Sequence, residues 1–249
     1  MVSHRRALLT LLVVLPLGQP LLRGSDAHAE PGVDASGRSY EQLEEAVLAE
    51  MNLLRRDPRA YAAKLLALRP SYRGNRILRG PDEPAIATVE GVSALDEAVR
   101  ALRRAPRRLP RLGLSVGLTQ AARGHARDLG LNGGLGHQGS DGSSPDQRVS
   151  RLGVWDGIVA ENISFGPNDA EEIVIGLLVD DDVPDRGHRE VLLTRELFFA
   201  GVACGPHPTY RVVCVMDYAT SFRAKRRLDL ERTPRRPPVA PGPLDHRSF

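Results

Sequence analysis

The sequence predicts a mixed domain of the α+β class, and two kinds of pattern support this prediction. Apolar residues recur at the helical period in several segments between residues 39 and 179. Strand patterns occur at residues 158–164, 198–205 and 210–218, where apolar residues alternate with others or are bounded by turn signals. The chain has 249 residues, of which 41% are hydrophobic and 26% are charged, so it can form one sizeable globular domain or two small ones.

The charge balance argues against nucleic acid as a partner. The formal net charge is +3, and the basic residues are mostly arginine. This mild excess favours anionic surfaces in general, such as cell-wall polymers or lipid headgroups. Only 4% of the residues are aromatic, and they do not interleave with basic residues as in proteins that bind single strands. We therefore expect an anionic envelope component rather than DNA or RNA.

The N-terminus has the order of a secretory signal peptide. His4-Arg5-Arg6 is a short basic start, residues 7–22 are mostly apolar, and Ala27-His28-Ala29 fits a cleavage site. The alternative is a membrane anchor, but the apolar run is short and interrupted by two prolines. We expect residues 1–29 to be removed. The mature protein would then be secreted to the periplasm or cell envelope, with no integral membrane span.

The two cysteines lie on either side of a turn signal. Cys204 and Cys214 flank Gly205-Pro206-His207-Pro208-Thr209, and valine-rich segments on both sides predict the two arms of a hairpin. The cysteines can then face each other across the strands and form a disulfide, which suits a secreted protein. The alternative is two buried free thiols. No further cysteine is present to complete a cysteine metal site.

The mature chain is predicted to begin with a loose linker, residues 30–38, and two helices. The first helix covers residues 39–56, where Ser39 and Gln42 have the spacing of a capping box. Asp57-Pro58 interrupts the apolar pattern. Because proline suits the first turn of a helix, we predict a second helix over residues 58–68.

Residues 69–111 are predicted to be an irregular excursion that contains one short helix. Residues 69–91 are rich in glycine, proline and arginine. Ser93 is expected to cap a helix that ends at Ala105, and residues 106–110 form a linker of proline and arginine.

The helix predicted from Ser115 to about Leu131 carries a histidine on its apolar face. We interpret His125 as a core histidine rather than a ligand. Asp128 lies about one turn further on and is its expected hydrogen-bond partner. Gly133-Gly134 ends this helix.

The next segments carry three polar residues of interest. His137 lies in a glycine- and serine-rich loop, and a helix is predicted over residues 145–152. In the strand 158–164, Glu161 shares a face with apolar residues, which is unusual for a glutamate. A helix over residues 170–179 then runs into the acidic run Asp180-Asp181-Asp182, and His188 begins a short apolar segment.

The C-terminal residues 221–249 are basic and rich in arginine and proline. Few of them are apolar, so we predict a disordered tail after a domain that ends at residue 220. Such a tail is either simply solvated or an electrostatic tether to anionic envelope polymers.

Four short segments, taken in order, resemble motifs of the CAP superfamily in its bacterial secreted form. This superfamily comprises cysteine-rich secretory proteins, antigen 5 and pathogenesis-related proteins. The segments are His125-Ala126-Arg127-Asp128, Gly136-His137, Ala160-Glu161-Asn162-Ile163 and Gly187-His188-Arg189. The resemblance covers about residues 40–220. It implies a three-layer α-β-α sandwich, in which a small and mostly antiparallel sheet lies between helices.

The resemblance also implies a cleft with two histidines and two acidic residues, which in many members takes a divalent metal. By motif the histidines are His137 and His188, and one acid is Glu161. Of the acidic run at residues 180–182, Asp180 is the second acid by its register after the preceding helix. The expected metal is zinc, because two imidazoles and a carboxylate leave a coordination position for water.

This chain departs from the family pattern at several points. Ala160 replaces the usual glycine, and the helix 170–179 lacks the family's tryptophan. The cysteine-rich framework of eukaryotic members is missing, and the excursion 69–111 has no counterpart in the minimal domain.

Three functions are consistent with these residues. The first is a secreted binding module for an envelope lipid or a cell-wall glycan. The second is a metal-dependent hydrolase or protease, with Glu161 as general base for a zinc-bound water. No nucleophile is singled out, since Ser140 and Ser143 are more simply loop and cap residues. In the third, the histidines and acids only hold the sheet to the helices.

Overall fold

The computed structural model describes residues 6–13, 37, 39–79 and 84–225, the first of these ranges by its backbone. The helices are α1 Tyr40–Arg56, α2 Pro58–Leu68, α3 Val92–Arg104, α4 Val116–Asn132, α5 Pro145–Leu152, α6 Ala170–Val179 and α7 Gly187–Leu193, with a 3₁₀ turn at Arg69–Ser71. The strands are β1 Arg6–Val13, β2 Arg76–Ile77, β3 Ile86–Ala87, β4 Gly113–Leu114, β5 Gly153–Phe165, β6 Phe199–His207 and β7 Arg211–Ala224.

A five-stranded sheet lies at the centre of the domain, in the order β1-β5-β7-β6-β4. Strands β5, β7 and β6 pair antiparallel, whereas β1 and β4 run parallel to their neighbours. Side chains alternate between its two faces. One face, here called the α4 face, packs against α4 and α5, and the other, the α1 face, packs against α1, α6 and α7. The predicted α-β-α sandwich with a mostly antiparallel sheet is therefore confirmed.

The predicted caps explain where α1, α2 and α4 begin and where α4 ends. Ser39 and Gln42 form the capping box of α1, and Pro58 occupies the first turn of α2. Ser115 caps α4, which ends at Gly133 in the left-handed conformation that glycine adopts without cost. One cap was predicted wrongly: Gly91, with a φ of 65°, is the N-cap of α3, and the Ser93 hydroxyl instead donates to the Glu90 carbonyl.

Strand β7 is longer than its sequence pattern predicts. It continues to Ala224, so the first residues of the predicted tail belong to the sheet. The reason is the side chain of Phe222, which packs on the α4 face against α4 and β5. A methyl group at Gly117 or Gly153 would lie 2.4 or 2.2 Å from the Phe222 ring, so the two glycines make room for it. The rest of the predicted tail, from residue 226 onward, lies outside the described residues.

Strand β1 lies within the segment predicted to be a signal peptide. Its backbone pairs with β5 in parallel, and Leu9 and Thr10 lie opposite Glu161 and Asn162. The signal peptide and its cleavage after Ala29 stay predictions, and the other residues of that segment lie outside the described part of the chain. Of the predicted linker 30–38, only Gly37 is described.

The excursion is more ordered than predicted. Strands β2 and β3 pair antiparallel within residues 69–91, and α3 buries its apolar face in the core of the α1 face. Leu109 and Leu112 of the following segment are also buried. The backbone N–H of Leu109 donates to the carbonyl of Arg55 at the end of α1. The excursion is thus part of the domain's packing.

The side chain of Arg55 joins four separate backbone carbonyls inside the domain. It is only 1% exposed. Its guanidinium donates at 2.8–2.9 Å to the carbonyl oxygens of Pro110, Leu192, Thr194 and Leu197. Burial lowers the pKa of Arg55 to about 10, so it remains charged at neutral pH. One cation therefore connects α1, the linker before β4, the end of α7 and the segment that follows α7.

Cys204 on β6 and Cys214 on β7 form the predicted disulfide. They lie directly opposite each other in the antiparallel register and point into the core of the α1 face. No helix among the described residues combines the length and the apolar character needed to cross a membrane.

Candidate functional site

The structure places two histidines beside two carboxylates, as two separate pairs. His137 Nδ1 lies 2.7 Å from Glu161 Oε1, and His188 Nδ1 lies 2.5 Å from Asp180 Oδ1. The side chains of Glu161, Asp180 and His188 are fully buried, and that of His137 is 16% exposed. All four residues that the family resemblance implies for the cleft are therefore engaged, each histidine with one acid.

The Glu161 carboxylate has partners on both oxygens. Alternation along β5 turns its side chain to the α4 face, where Oε1 meets His137. Oε2 accepts from Arg148 Nη2 at 2.6 Å. Arg148 Nη1 donates further to the carbonyls of His137 and Ser143. Arg148 of α5 therefore neutralises the buried carboxylate and also fixes the loop that carries His137.

The charge of Glu161 is maintained in spite of its burial. Burial would raise the pKa of Glu161, but the hydrogen bond with His137 and the positive charge of Arg148 outweigh it and hold the pKa below its usual value. Asp217 lies directly opposite Glu161 on β7 and is also fully buried. Burial, and then the negative charge of Glu161, raise the pKa of Asp217 well above its usual value. The pKa values of these two neighbouring carboxyl groups are therefore shifted in opposite directions.

His125 is a buried core histidine, as predicted, but its partner is different. Its Nε2 lies 2.9 Å from the carbonyl oxygen of Gly136, and burial lowers its pKa, so the ring is neutral and donates from Nε2. The predicted partnership with Asp128 is wrong, because that carboxylate accepts from the N–H and hydroxyl of Ser140 and from Asn132. His125 Nε2 is 4.0 Å from Glu161 Oε1.

The three aspartates of the acidic run before His188 have different hydrogen-bond partners. Asp180 ends α6 in the left-handed conformation, and its Oδ2 accepts from the N–H groups of His188 and Arg189 at 3.0 and 3.3 Å. Asp181 accepts from the N–H groups of Val89 and Glu90 in the excursion. The N–H of Asp182 donates to Glu90 Oε1. Asp180 is thus the aspartate of the run that contacts His188.

The two pairs approach the same part of β5 from opposite faces of the sheet. Glu161 points to the α4 face, whereas the adjacent Asn162 points to the α1 face and donates to the carbonyl of His188 at 3.4 Å. Within the described ranges, no group of three or more His, Cys, Asp or Glu side chains is arranged to hold a metal. In the same part of the chain, the buried Nε2 atoms of His137 and His188 have no hydrogen-bond partner.

A cavity of about 370 Å³ opens beside the Glu161 pair, between α4, α5 and the loop after His137. Its lining includes Asp128, Ser140, Asp141 and Arg148. The Ser140 hydroxyl donates to Asp128 Oδ1, and the N–H of Ser143 donates to Asp141. These are the hydrogen bonds of a stable loop, as the sequence suggested.

Three residues of this region were not singled out from the sequence. Asp217 could have been placed near Glu161, because the alternation along residues 212–218 puts it on the same face as Val213 and Val215. Asn162 was named only as a member of the motif Ala160-Glu161-Asn162-Ile163, without a role of its own, and Arg148 offered no signal at all. Their roles depend on contacts that only the folded chain creates.

Comparison with known proteins found a family match for about half of the chain. Residues 97–218 match the family described as CAP, the cysteine-rich secretory protein family. No curated protein matches the chain.

Three solved bacterial structures are similar to parts of the chain. An extracellular protein from Bacillus anthracis that contains an SCP domain shares 22% identity at a TM-score of 0.36, over 45% of this chain and 34% of that one. An outer surface protein from Borrelia burgdorferi shares 20% identity at a TM-score of 0.37, over 47% of this chain and 80% of that one. A cysteine-rich secretory protein from Staphylococcus aureus shares 13% identity at a TM-score of 0.34, over 52% of this chain and 38% of that one. The chain thus matches about a third of the length of the Bacillus protein.

Proposed function

Because residues 97–218 match the CAP, or cysteine-rich secretory protein, family, we propose that the protein is an extracytoplasmic binding module whose His137 and His188 hold a divalent metal, most readily zinc. The proposal rests above all on one observation. Each of these histidines has a carboxylate at Nδ1 and, among the described residues, a buried Nε2 without a partner.

The chemistry of the two pairs fits a metal ligand better than a purely structural histidine. An unpartnered buried nitrogen does not distinguish them, because the core histidine His125 also has a buried Nδ1 without a partner among the described residues. The difference is that the other nitrogen of His125 contacts a backbone carbonyl and not a carboxylate. A histidine that binds a metal typically donates from its other nitrogen to a carboxylate, which fixes the tautomer and the ring orientation. Glu161 and Asp180 are in this supporting position. We therefore assign them to orienting the histidines, although the family resemblance had suggested them as ligands.

The position of β5 indicates how the two histidines could share one metal. They approach this strand from opposite faces, so their nitrogens can meet only beyond its outer edge. That edge pairs with β1, and the paired residues include Glu161 and Asn162. Removal of the predicted signal peptide would free the edge next to both histidines. The bound metal would act as a Lewis acid or hold an anionic group of a ligand.

The arrangement gives little support to a hydrolase. A general base needs a free oxygen near the attacking water, but both oxygens of Glu161 are engaged, by His137 and Arg148. Ser140 is hydrogen-bonded to an aspartate rather than to a histidine. We therefore favour binding over catalysis, with an anionic envelope lipid or cell-wall glycan as the ligand class.

Sedimentation of the purified protein with envelope material tests this proposal. We expect it to pellet with phosphatidylglycerol vesicles or with isolated cell walls, and less so in about 0.5 M salt, which shortens the Debye length to a few ångströms. The double variant His137→Ala and His188→Ala should pellet less than the native protein when zinc is present. Phosphatidylcholine vesicles are the control. Failure to pellet with either anionic material at low salt would contradict the proposal.

A further inference from the structure

The loop between α6 and α7 has an unusual backbone. Asp180, Asp182 and Arg186 all have positive φ angles, of 58°, 64° and 53°. In residues other than glycine this left-handed conformation is disfavoured, because the Cβ atom crowds the following carbonyl oxygen. Such conformations persist only where the surrounding structure holds them in place, and they concentrate at functional sites. The loop leads directly into α7, whose second residue is His188, so the contacts that hold the loop also affect this histidine.

The side chain of Arg186 ties the loop to the excursion. Its Nη1 donates to the carbonyl oxygen of Asp180 and to Glu90 Oε1, each at 2.6 Å. Its Nη2 donates to Glu97 Oε2 at 2.8 Å, and Glu97 lies on α3. The same guanidinium thus holds the left-handed Asp180 from one side and two carboxylates of the excursion from the other.

Arg189 makes a second connection between the same elements. Its Nε and Nη2 donate to the carbonyls of Leu178 and Val179 at the end of α6, at 2.6 and 2.8 Å. Its Nη1 donates to Glu97 Oε1 at 2.7 Å. Hydrogen bonds from Arg186 and Arg189 lower the pKa of Glu97 to about 2, against the effect of partial burial, so this carboxylate is ionised at any physiological pH.

We infer that these four residues, Glu90, Glu97, Arg186 and Arg189, form a clamp that positions His188. The clamp holds Asp180 in the conformation in which its carboxylate reaches both the ring and the N–H of His188. Glu90 lies before the family match and Glu97 is its first residue, so part of the clamp comes from a segment outside that match. Contacts from outside the family match therefore help to fix the position of the His188 ring in this chain. The metal readout used below rests on the proposed function.

The variant Glu97→Gln tests the clamp in the full protein. It removes the negative charge shared by both arginines and preserves the shape of the side chain. We expect the N–H groups of His188 and Arg189 to exchange with deuterium about tenfold faster or more. The 15N spectrum of the His188 ring should show a mixture of tautomers, because Asp180 no longer fixes Nδ1–H. Zinc affinity should fall about tenfold, as for other residues that orient metal ligands.

Asp96→Asn is the matched control. Asp96 is the neighbouring residue on α3 and pairs with Arg69, away from the loop. It should leave exchange, tautomer and zinc affinity unchanged. If Glu97→Gln does not fold, Glu90→Gln replaces it, since it removes one partner of Arg186 and leaves Glu97 in place.

The exchange and tautomer data decide the inference independently of zinc. If they are unchanged in the clamp variant, the clamp does not position His188 and the inference is wrong. If they change while the native protein takes up no zinc, the clamp stands and the proposed metal function fails.

Discussion

Replacing Arg55 with methionine is expected to lower the free energy of unfolding by about 4 kcal/mol or more. The variant loses four hydrogen bonds from a charged donor and leaves four carbonyl oxygens without that partner inside the domain. Hydrogen bonds to charged groups contribute about 1.5–3 kcal/mol each, and an unsatisfied buried group costs about 1–3 kcal/mol. Because domains have only about 5–15 kcal/mol of stability, the variant should be largely unfolded well below the native melting temperature. Urea denaturation followed by circular dichroism measures the change.

Arg56→Met is the control for this experiment. Arg56 is the next residue on α1 and is exposed. Its replacement should change stability by no more than about 0.5 kcal/mol. A loss below about 1 kcal/mol in Arg55→Met would show that the four contacts do not hold α1 to α7 as described.

Replacing Arg148 with methionine is expected to lower the free energy of unfolding by about 3–5 kcal/mol at neutral pH. Removing one partner of a buried ion pair leaves the other charge uncompensated, and here that charge is Glu161, which is completely buried. Adding Glu161→Gln to this variant should restore a large part of the lost stability, since it removes the uncompensated negative charge. Arg151→Met on the same helix is the control, because its ion pair with Asp141 is exposed and contributes little.

The pH dependence of this variant follows from the pKa of Glu161. In the native protein that pKa lies below the unfolded value of 4.5, so ionisation of Glu161 stabilises the fold above about pH 4.5 and the contribution is lost as the pH falls through the folded pKa. Without Arg148 the folded pKa should rise above 4.5, and ionisation then destabilises the fold. The stability difference between the two proteins should therefore shrink as the pH falls toward 4. A difference independent of pH would contradict the assigned charge of Glu161.

Local signals were sufficient to predict most of the helices. Ser39, Pro58 and Ser115 act on their own helix within a turn, so their identity and spacing fix where the helix begins. At α3 two signals compete. The sequence favours Ser93 as the cap, but Gly91 adopts a positive φ that other residues avoid, and this starts the helix earlier.

The buried polar contacts could be predicted only in part. The alternation around Glu161 indicates that its side chain is buried, and Asp180 lies near enough to His188 in the sequence to be proposed as its partner. Arg55 is different, because three of the carbonyls it joins are 137–142 residues away in the chain. Nothing in its local sequence distinguishes it from the exposed Arg56. Contacts of this kind arise only when the sheet brings distant segments together.

The contacts of the clamp could not be predicted from the sequence either. The composition of the excursion predicts an irregular segment, and it does so from the glycines and prolines of residues 69–91. Composition contains no information on which element the segment packs against. The carboxylates of Glu90 and Glu97 acquire their role because α3 packs beside α6 and thus reaches the two arginines.

Zinc uptake by the purified protein tests the central claim most directly, and isothermal titration calorimetry measures it alongside the variants His137→Ala, His188→Ala and His125→Ala. We predict one zinc ion per chain, with binding weakened at least about tenfold when either His137 or His188 is replaced. The replacement of His125, whose partner is a backbone carbonyl and not a carboxylate, should leave zinc affinity unchanged. If the native protein takes up no zinc, or if the double variant at His137 and His188 binds it as tightly as the native protein, the two histidines do not form a shared metal site.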